Sequence, residues 1–443
     1  EVREGKAGVS LDECSRLPLI PLSDLSPPYT ALKVDGLDVS DSGYPLVAKG
    51  GIRFSYVGKE GAAERPRRIR KKIDALAGFI RRGLIKTDEL IEAHGLIETD
   101  GLIGADGGAA GARFEERPRL YRIAAGGDAM LARGVGKILF TEGAAAVLGE
   151  TAALVRGADL SIVNLEGVLS DRGEEAEKTY TFRFDPRTAA VLKDAGFDAV
   201  LLANNHAFDF GLTGFLDSLD HLEKAGLAVL GAGRERAAAA APFITGEASF
   251  PVRVFGIASF GPERNGWDGG AFAADVNKPG MLHAAGGGAE LIKSLLSGDG
   301  PAGSDGAPLD IVFFHGGVEY VDYPDGATRA LYTELINAGA DLVIGTHPHV
   351  EQGFEWVRGK PVFWSLGDYI FDEMDDTPGG DKGIFVVLSY PLPARPGRGA
   401  KRPAYIEVYP LFMKGPRTLI SPEKQLDRFL ILTRELAKNE VQL

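Results

Sequence analysis

Polar side chains of the metal-ligand type stand at the ends of several short β-rich runs in this sequence. In chain order they are Asp128, Asn164, Glu166, Asn204, Asn205, His206, His315, His347 and His349. Because the carboxyl ends of parallel strands meet at one edge of an open α/β sheet, we expect these side chains to converge there. Carboxylates, amide oxygens and imidazoles together suit Mn, Fe or Zn better than Ca or Mg. A site for one or two such divalent ions, with one carboxylate shared between two of them, would indicate a two-metal hydrolase.

Each of these motifs also has a purely structural interpretation. The strand-end acids in GGD and NLEG could be turn or cap residues. The triplet NNH follows the apolar run AVLLA, and three polar groups at a strand end need partners, which favours a functional role. His315 could be a core histidine, although the two glycines after it would let a ligand approach. The unit His347-Pro348-His349 is the strongest signal, since proline favours an extended turn in which both imidazoles can face one centre.

The elements that must position these residues fall into three parts. Residues 1–117 are predicted to be an N-terminal accessory region and linker, with a basic helix near Pro66–Gly83 and a glycine-rich linker at Gly101–Ala112. Residues 118–420 alternate β-rich runs with helical runs and then become strand-rich, which predicts βαβ units followed by an antiparallel portion or a second sheet. Residues 421–443 are predicted to form a closing amphipathic helix.

The overall composition narrows the possible partners. The chain has 443 residues and a formal net charge of −13, which argues against nucleic acid or an anionic membrane surface as the main partner. It contains no run of about 18 apolar residues, so no transmembrane segment is predicted. The single cysteine, Cys14, excludes an intramolecular disulfide and a Cys-rich zinc site. The chain begins at Glu1 without a leader-type segment, so we expect a shortened or processed chain whose N-terminus does not indicate its compartment.

A series of motifs in the central region resembles a known family. Over roughly residues 120–375 the chain carries, in this order, GDAML, NLEG, FRF, AGFDAVLLANNHAFDFG, HGGVEY, GTHPHV and SLGDYIFD. This series resembles the CapA-type bacterial capsule synthesis proteins, which are linked to poly-γ-glutamate production and whose domain is similar to calcineurin-like metallophosphatases. The resemblance implies an α/β fold, namely a metallophosphatase-like two-sheet sandwich flanked by helices. It also implies an extracytoplasmic protein that is tethered to the membrane through segments outside this chain.

The resemblance assigns metal-binding roles to individual residues. Asp128 stands at the aspartate of the D-x-H signature, but Met130 occupies the histidine position, and a thioether is a poor ligand for a hard ion. The implied metal ligands are Asp128, Asn164, Glu166, Asn205, His315, His347 and His349. Among them Glu166 resembles the bridging carboxylate, and Asn164 could replace the donor that is missing at position 130.

The same resemblance suggests residues that would take part in catalysis or support the metal ligands. His206 resembles a general acid or transition-state donor, and Asp209, three residues later, could orient its ring. Glu319 and Asp368 lie near the same predicted sheet edge and are candidates for supporting the ligands or contacting the substrate. A structural role for these two is an equal alternative.

Two arginines are candidates for binding an anionic polymer or phosphoester substrate. Arg133 and Arg183 could pair bidentately with phosphate or carboxylate, and surface ion pairing is the alternative. The remaining histidines, His94, His221 and His283, are predicted to be structural.

Metal-assisted phosphoester hydrolysis in capsule or poly-γ-glutamate biosynthesis is the function that the resemblance favours. Water activated by two cations would attack a phosphoryl centre, and His206 would protonate the leaving oxygen. Two alternatives are open at this point. The first is a non-catalytic component that binds or exports the polymer in a membrane synthesis complex, which Met130 slightly favours. The second is hydrolysis or transfer of a γ-glutamyl amide.

Overall fold

The computed structural model describes residues 33–34, 37–38, 119–263, 266–298, 307–374, 379–393, 401–420 and 424–440. In the predicted accessory region only a short antiparallel pair is described, β1 (Lys33–Val34) and β2 (Leu37–Asp38). The predicted basic helix and glycine-rich linker lie outside the described residues. The division into three parts therefore stays a prediction. None of the helices in the described ranges combines the length and the hydrophobicity that a membrane span requires.

Short strands and helices alternate through the rest of the described chain. The strands are β3 (Leu120–Ala129), β4 (Leu160–Leu165), β5 (Val168–Leu169), β6 (Arg183–Phe184), β7 (Ala199–Leu201), β8 (Ala228–Leu230), β9 (Ala232–Gly233), β10 (Phe243–Glu247), β11 (Phe250–Ser259), β12 (Gly280–Met281), β13 (Leu309–Gly316), β14 (Leu342–Thr346), β15 (Glu351–Val357), β16 (Lys360–Leu366), β17 (Asp368–Ile370), β18 (Lys382–Pro391), β19 (Tyr405–Lys414) and β20 (Arg417–Ile420). The helices are α1 (Arg133–Thr141), α2 (Ala144–Leu148), α3 (Thr151–Arg156), α4 (Thr188–Ala195), α5 (Gly211–Ala225), α6 (Arg236–Ala240), α7 (Gly288–Leu296), α8 (Gly326–Ala338) and α9 (Lys424–Glu440), with 3₁₀ turns at Gly269–Phe272 and Ala284–Gly286.

Two large sheets organise these elements. The first has the strand order β20-β19-β18-β3-β4-β7-β8, with β17 also paired to β3. It is parallel from β3 to β8, and β18 to β20 extend it as antiparallel strands. The second has the order β10-β11-β13-β14-β16-β15, with parallel pairing from β11 to β16 and antiparallel strands at both edges. The strand-rich final third therefore adds antiparallel strands to both sheets, as the sequence predicts.

The alternation of side chains along β13 shows how the sheets pack. Ile311 and Phe313 lie in the core that also contains residues of the first sheet, whereas Val312 and Phe314 lie in a second core with residues of α7 and α8. This arrangement confirms the predicted α/β two-sheet sandwich flanked by helices. Successive side chains of a strand point to opposite faces, so His315 continues the series of Ile311 and Phe313. It therefore points between the sheets at the carboxyl end of β13.

The C-terminal helix packs on the edge of the second sheet. α9 contacts β15 and buries Phe429, Leu432 and Leu436 against it. It occupies most of the segment for which the sequence predicts a closing amphipathic helix.

Candidate metal centre

Asp128 lies at the end of β3, where β4 and β17 flank the strand. In register, it pairs with Asn164 of β4 and with Asp368 of β17. The N–H of Asp128 donates to the carbonyl oxygen of Gly367 over 3.0 Å. A Cβ atom at Gly127 would lie 1.8 Å from that same oxygen, so only glycine allows the two chain segments to approach this closely. The glycine before Asp128 therefore brings three polar side chains to one edge of the sheet.

Both carboxylate oxygens of Asp128 accept hydrogen bonds. Asn164 Nδ2 donates to Oδ1 over 2.7 Å, and the main-chain N–H of His347 donates to Oδ2 over 2.9 Å. His315 Nδ1 lies 3.6 Å from Oδ1, and His349 Nδ1 lies 3.8 Å from Oδ2. Burial alone would raise the pKa of Asp128, but the two imidazoles and the His347 N–H lower it below its ordinary value. Asp128 is therefore held as a carboxylate.

Glu166 follows β4 and is fully buried. Its Oε2 accepts a hydrogen bond from Asn164 Nδ2 over 3.1 Å. Its Oε1 has no hydrogen-bond partner among the described residues, but lies 3.6 Å from His349 Nε2 and 3.8 Å from His206 Nε2. Burial and the negative charge of Asp128 raise the pKa of Glu166 well above its ordinary value.

His315 and His347 approach the same centre from β13 and from the end of β14. His315 Nε2 lies 2.9 Å from Asn205 Oδ1, and its Nδ1 lies 3.0 Å from Thr346 Oγ1. The ring centroids of His315 and His347 are 4.6 Å apart. Burial lowers the pKa of His315, and burial together with neighbouring imidazoles lowers the pKa of His347 well below its ordinary value. Both rings are therefore neutral, as metal-ligating imidazoles must be.

The His347-Pro348-His349 unit has a strained backbone. His347 and His349 have φ angles of 99° and 56°, in the left-handed region that non-glycine residues rarely adopt. Their ring centroids lie 6.2 Å apart, so the turn keeps both imidazoles in the site. Backbone strain of this kind clusters at functional sites, where surrounding structure compensates for its cost.

His349 forms a close pair with Asp368. The distance from His349 Nδ1 to Asp368 Oδ1 is 2.8 Å. Burial opposes protonation of His349, but the charges of Asp368 and Glu166 raise its pKa well above the ordinary value. Burial raises the pKa of Asp368 to about 7. Three buried carboxylates therefore share one imidazole that readily takes a proton.

His206 lies beside this cluster, and its imidazole pairs with a carboxylate of its own loop, that of Asp209. Asn204 Oδ1 accepts the main-chain N–H of His206 over 3.1 Å. His206 Nδ1 lies 2.6 Å from Asp209 Oδ2, and the ring of Phe182 stacks on the imidazole with centroids 4.1 Å apart. Burial and the positive charge of Lys178 lower the pKa of His206, whereas Asp209 raises it, and the net result is a pKa of about 4. The pairing of His206 with Asp209 matches the geometry that the sequence predicts, and their catalytic roles stay predictions.

The two candidate substrate-binding arginines lie in different surroundings. The guanidinium of Arg133 lies 5.2 Å from the ring centre of Phe182, beside His206, and 3.2 Å from Glu373. The guanidinium of Arg183 lies 3.6 Å from the ring centre of Phe210 and donates to the carbonyls at positions 172 and 173. Arg133 is therefore near the cluster, whereas Arg183 is engaged with its own loop. A substrate-binding role for either arginine stays a prediction.

The other residues singled out from the sequence are also placed. Glu319 is exposed in the loop after β13. Met130 is buried, and its sulfur accepts the N–H of Ala132 over 3.3 Å. His283 is buried with its Nε2 3.2 Å from the carbonyl oxygen of Phe260. His221 lies on α5, and His94 lies outside the described residues.

Sequence reasoning missed Lys178, whose side chain is fully buried next to His206. Its Nζ lies 2.7 Å from Asp209 Oδ1 and 3.4 Å from His206 Nδ1. The segment DRGEEAEKTY around it is polar and reads as a surface loop, so no pattern in the sequence distinguishes this lysine.

The donor atoms fit a divalent metal centre. Two groups, Asp128 with His349 and Asp368, and Asp128 with Glu166 and His315, each offer ligand atoms that lie within 4.8 Å of one another. Within the described part of the chain, Glu166 Oε1, Asp368 Oδ2 and His347 Nδ1 are buried without a hydrogen-bond partner. Buried polar atoms rarely stay unpartnered, and buried carboxylates need a compensating cation. One or two divalent cations would satisfy these atoms.

Comparison with known proteins agrees with this geometry. Residues 122–373 match the family model described as bacterial capsule synthesis protein PGA_cap. The chain belongs to this family. The family lies in the metallophosphatase-like superfamily, which confirms the resemblance found in the sequence.

Three named proteins of other organisms are similar to part of this chain. The PGA biosynthesis protein CapA of Bacillus subtilis (strain 168) is 30% identical over 249 residues, which are 56% of this chain and 62% of that protein. The capsule biosynthesis protein CapA of Bacillus anthracis is 29% identical over 251 residues, 56% of this chain and 59% of that protein. A probable polyglutamine synthesis accessory protein of Mycobacterium tuberculosis is 29% identical over 230 residues, 52% of this chain and 58% of that protein. The chain thus matches about three fifths of the length of these relatives.

Proposed function

We propose that this chain is a metal-dependent phosphoester hydrolase that acts in the synthesis of a capsule or polyglutamate-type polymer. The observation that carries the proposal is the position of His206. Its Nδ1 is engaged by Asp209, and its Nε2 lies 3.8 Å from Glu166 Oε1 at the edge of the acidic cluster. A cluster built only to hold an ion or a polymer would not need an imidazole oriented by a carboxylate beside it.

The acidic cluster supplies the ligands for the metal. Asp128, His349 and Asp368 would hold one ion, and Asp128, Glu166 and His315 a second, with Asn164, Asn205 and His347 adjoining both groups. The mixture of oxygen and imidazole donors suits Mn, Fe or Zn. Such ions, when bound, polarise a phosphoryl group and lower the pKa of water. Asp368 would provide the donor that Met130 does not.

His206 would handle the proton of the leaving group. Because Nδ1 is committed to Asp209, Nε2 is the atom that faces the substrate. In the chain alone, burial lowers the pKa of His206 to about 4. The negative charge of a bound phosphoester would raise that pKa again and load Nε2 with the proton that the leaving oxygen needs. Arg133, beside Phe182, would bind a non-bridging oxygen of the same group.

The test is hydrolysis of p-nitrophenyl phosphate and bis(p-nitrophenyl) phosphate by the full chain with added Mn²⁺. We expect metal-dependent turnover that falls about 10²- to 10⁴-fold in kcat in His206→Gln, the usual contribution of a general acid. His221→Gln on α5 is the matched control and keeps the wild-type rate.

Absence of metal-dependent hydrolysis in the wild type, or equal rates in His206→Gln, would contradict the proposal. Metal binding without turnover would instead support a non-catalytic component that holds an acidic polymer through cations.

We also propose that the protein works outside the cytoplasmic membrane, tethered by segments beyond this chain. The support is the family, whose relatives are named for PGA biosynthesis, capsule biosynthesis and, as a probable accessory protein, polyglutamine synthesis. Protease added to intact cells of the source organism should degrade the protein, and complete protection until lysis would contradict this location.

A further inference from the structure

Lys178 is a lysine with a fully buried side chain and three close oxygen partners. Its Nζ lies 2.7 Å from Asp209 Oδ1 and 2.9 Å from Glu263 Oε1, and donates to the carbonyl of Asn205 over 2.8 Å. The three acceptors match the three N–H bonds of an ammonium group. Nζ also lies 4.1 Å from the ring centre of Trp267, so an aromatic face covers its remaining side.

These partners come from three separate segments. Lys178 belongs to the loop between β5 and β6, Asn205 and Asp209 to the loop between β7 and α5, and Glu263 to the segment after β11. The first loop connects the two strands of the small β5-β6 sheet, the second follows β7 of the first large sheet, and the third follows β11 of the second large sheet. Lys178 therefore joins the loop that carries His206 to both sheets of the sandwich.

Asp209 contacts both Lys178 and His206 and so links the position of one side chain to that of the other. Its Oδ1 meets Lys178, while its Oδ2 accepts the N–H of Phe182 over 2.7 Å and lies 2.6 Å from His206 Nδ1. The carboxylate is thus fixed at both oxygens and cannot rotate without losing a bond to a buried group. Phe182 also stacks on the imidazole, so the plane of the ring is fixed together with its hydrogen bond.

We propose that Lys178 is a positioning residue that, by holding Asp209, fixes the His206 imidazole with its Nδ1–H toward Asp209 and its bare Nε2 toward Glu166. Without the ammonium group, Asp209 loses one of its two anchors, and the hydrogen bond that selects the Nδ1–H tautomer weakens. The kinetic part of this inference rests on the proposed hydrolase function. The tautomer of His206 is a property of the chain itself and can be measured without any substrate.

The test is ¹⁵N NMR of the full chain with labelled histidines, in which the His206 signals are assigned by their loss in His206→Gln. The wild type should show one His206 tautomer, with Nδ1 protonated. Lys178→Met should show a mixture of tautomers, and Lys178→Arg, which keeps charge and donors, should lie closer to the wild type. Lys293→Met is the matched control, because Lys293 pairs with Glu290 and Glu334 at the surface and should leave the His206 signals unchanged.

Kinetics then separate positioning from a general loss of structure. We expect kcat for p-nitrophenyl phosphate to fall about 10- to 100-fold in Lys178→Met, with KM changed less than about threefold. Lys178→Gln is the second variant if the methionine variant does not fold, since its shorter amide cannot reach Asn205 and Asp209 together. A wild-type His206 spectrum in either folded variant overturns the inference. If the wild type hydrolyses nothing, the proposed function fails while the NMR measurement still decides the role of Lys178.

Discussion

The two ends of the sandwich differ in how buried carboxylates are paired. At the amino end of β13, Asp310 accepts two hydrogen bonds from the guanidinium of Arg253, over 2.6 and 2.9 Å. Beside it, Asp341 lies 2.5 Å from Lys360 Nζ and 2.7 Å from Lys401 Nζ. At this end, both of these buried acids form salt bridges with Arg or Lys side chains of the chain.

At the carboxyl ends of the parallel strands, three buried acids of the cluster have no Lys or Arg partner among the described residues. Asp128, Glu166 and Asp368 are fully buried, and each lies within 3.8 Å of the imidazole of His349. The nearby ammonium of Lys178 is taken up by Asp209 and Glu263. Buried charge without a partner is costly, and the raised pKa values of Glu166 and Asp368 reflect that cost. A divalent cation from solution would compensate these acids when they ionise. The end with paired charges fits a structural role, and the end with the acidic cluster is the one for which a metal site is proposed.

The largest expected effect is at the paired end. Asp310→Ala removes the bidentate partner of a buried arginine and should lower the free energy of unfolding by about 3–5 kcal/mol, with or without metal. Asp368→Asn, at the other end, should change the stability of the metal-free protein at about pH 4 by no more than about 1.5 kcal/mol, because Asp368 is then protonated and the change replaces a neutral carboxyl that makes one hydrogen bond. Urea unfolding in the presence of a chelator measures both values. Equal losses in the free energy of unfolding for the two variants would contradict the proposed difference between the two ends.

The next effect concerns the glycine that positions Asp128. Gly127→Ala places a methyl group against the carbonyl oxygen of Gly367 and should cost about 1–3 kcal/mol of stability. It should also weaken metal binding, because β3 and β17 must separate. Gly261→Ala is the control, since a Cβ atom there meets nothing within 4 Å. Calorimetric melting and Mn²⁺ titration of both variants test this, and an unperturbed Gly127→Ala protein would contradict it.

The last effect is a pH dependence at the acidic cluster, which is small within any one pH unit. The pKa of Asp368 is raised from 3.8 to about 7, so the folded metal-free protein holds a proton that the unfolded chain releases. The stabilisation that this bound proton gives to the folded state is complete below about pH 4. It is lost as the pH rises toward 7, by at most about 1.36 kcal/mol per pH unit. Asp368→Asn should therefore gain stability relative to the wild type as the pH rises from 4 to 6.5. Urea unfolding at several pH values measures the difference, and a constant difference would exclude this titration.

The sequence predicts the position of the centre because of a simple topological rule. Polar residues after parallel strands must meet at the carboxyl edge, which is why Asp128, His315 and His349 come together although more than 200 residues separate the first from the last. The pairing of β18 with β3 connects strands that are just as far apart, and no local pattern specifies it.

Side chains whose surroundings depend on loops could not be predicted in the same way. Lys178 is buried only because its loop meets the segments that carry Asp209 and Glu263. Arg183 has the residue type of an anion ligand, but its guanidinium stacks on Phe210. Residue type and strand position predict a ligand set, whereas the arrangement of loops decides which charged groups support it.

The metal content of the purified full chain is the decisive test for a cation site at the acidic cluster. After equilibration with Mn²⁺ and removal of free ions, elemental analysis should find about one or two ions per chain. Asp128→Ala should lose them, and Asp310→Ala, altered at the opposite end of the sandwich, should keep them. A wild-type chain that binds no Mn²⁺, Fe²⁺ or Zn²⁺, or an Asp128→Ala chain that binds as much as the wild type, would contradict the account.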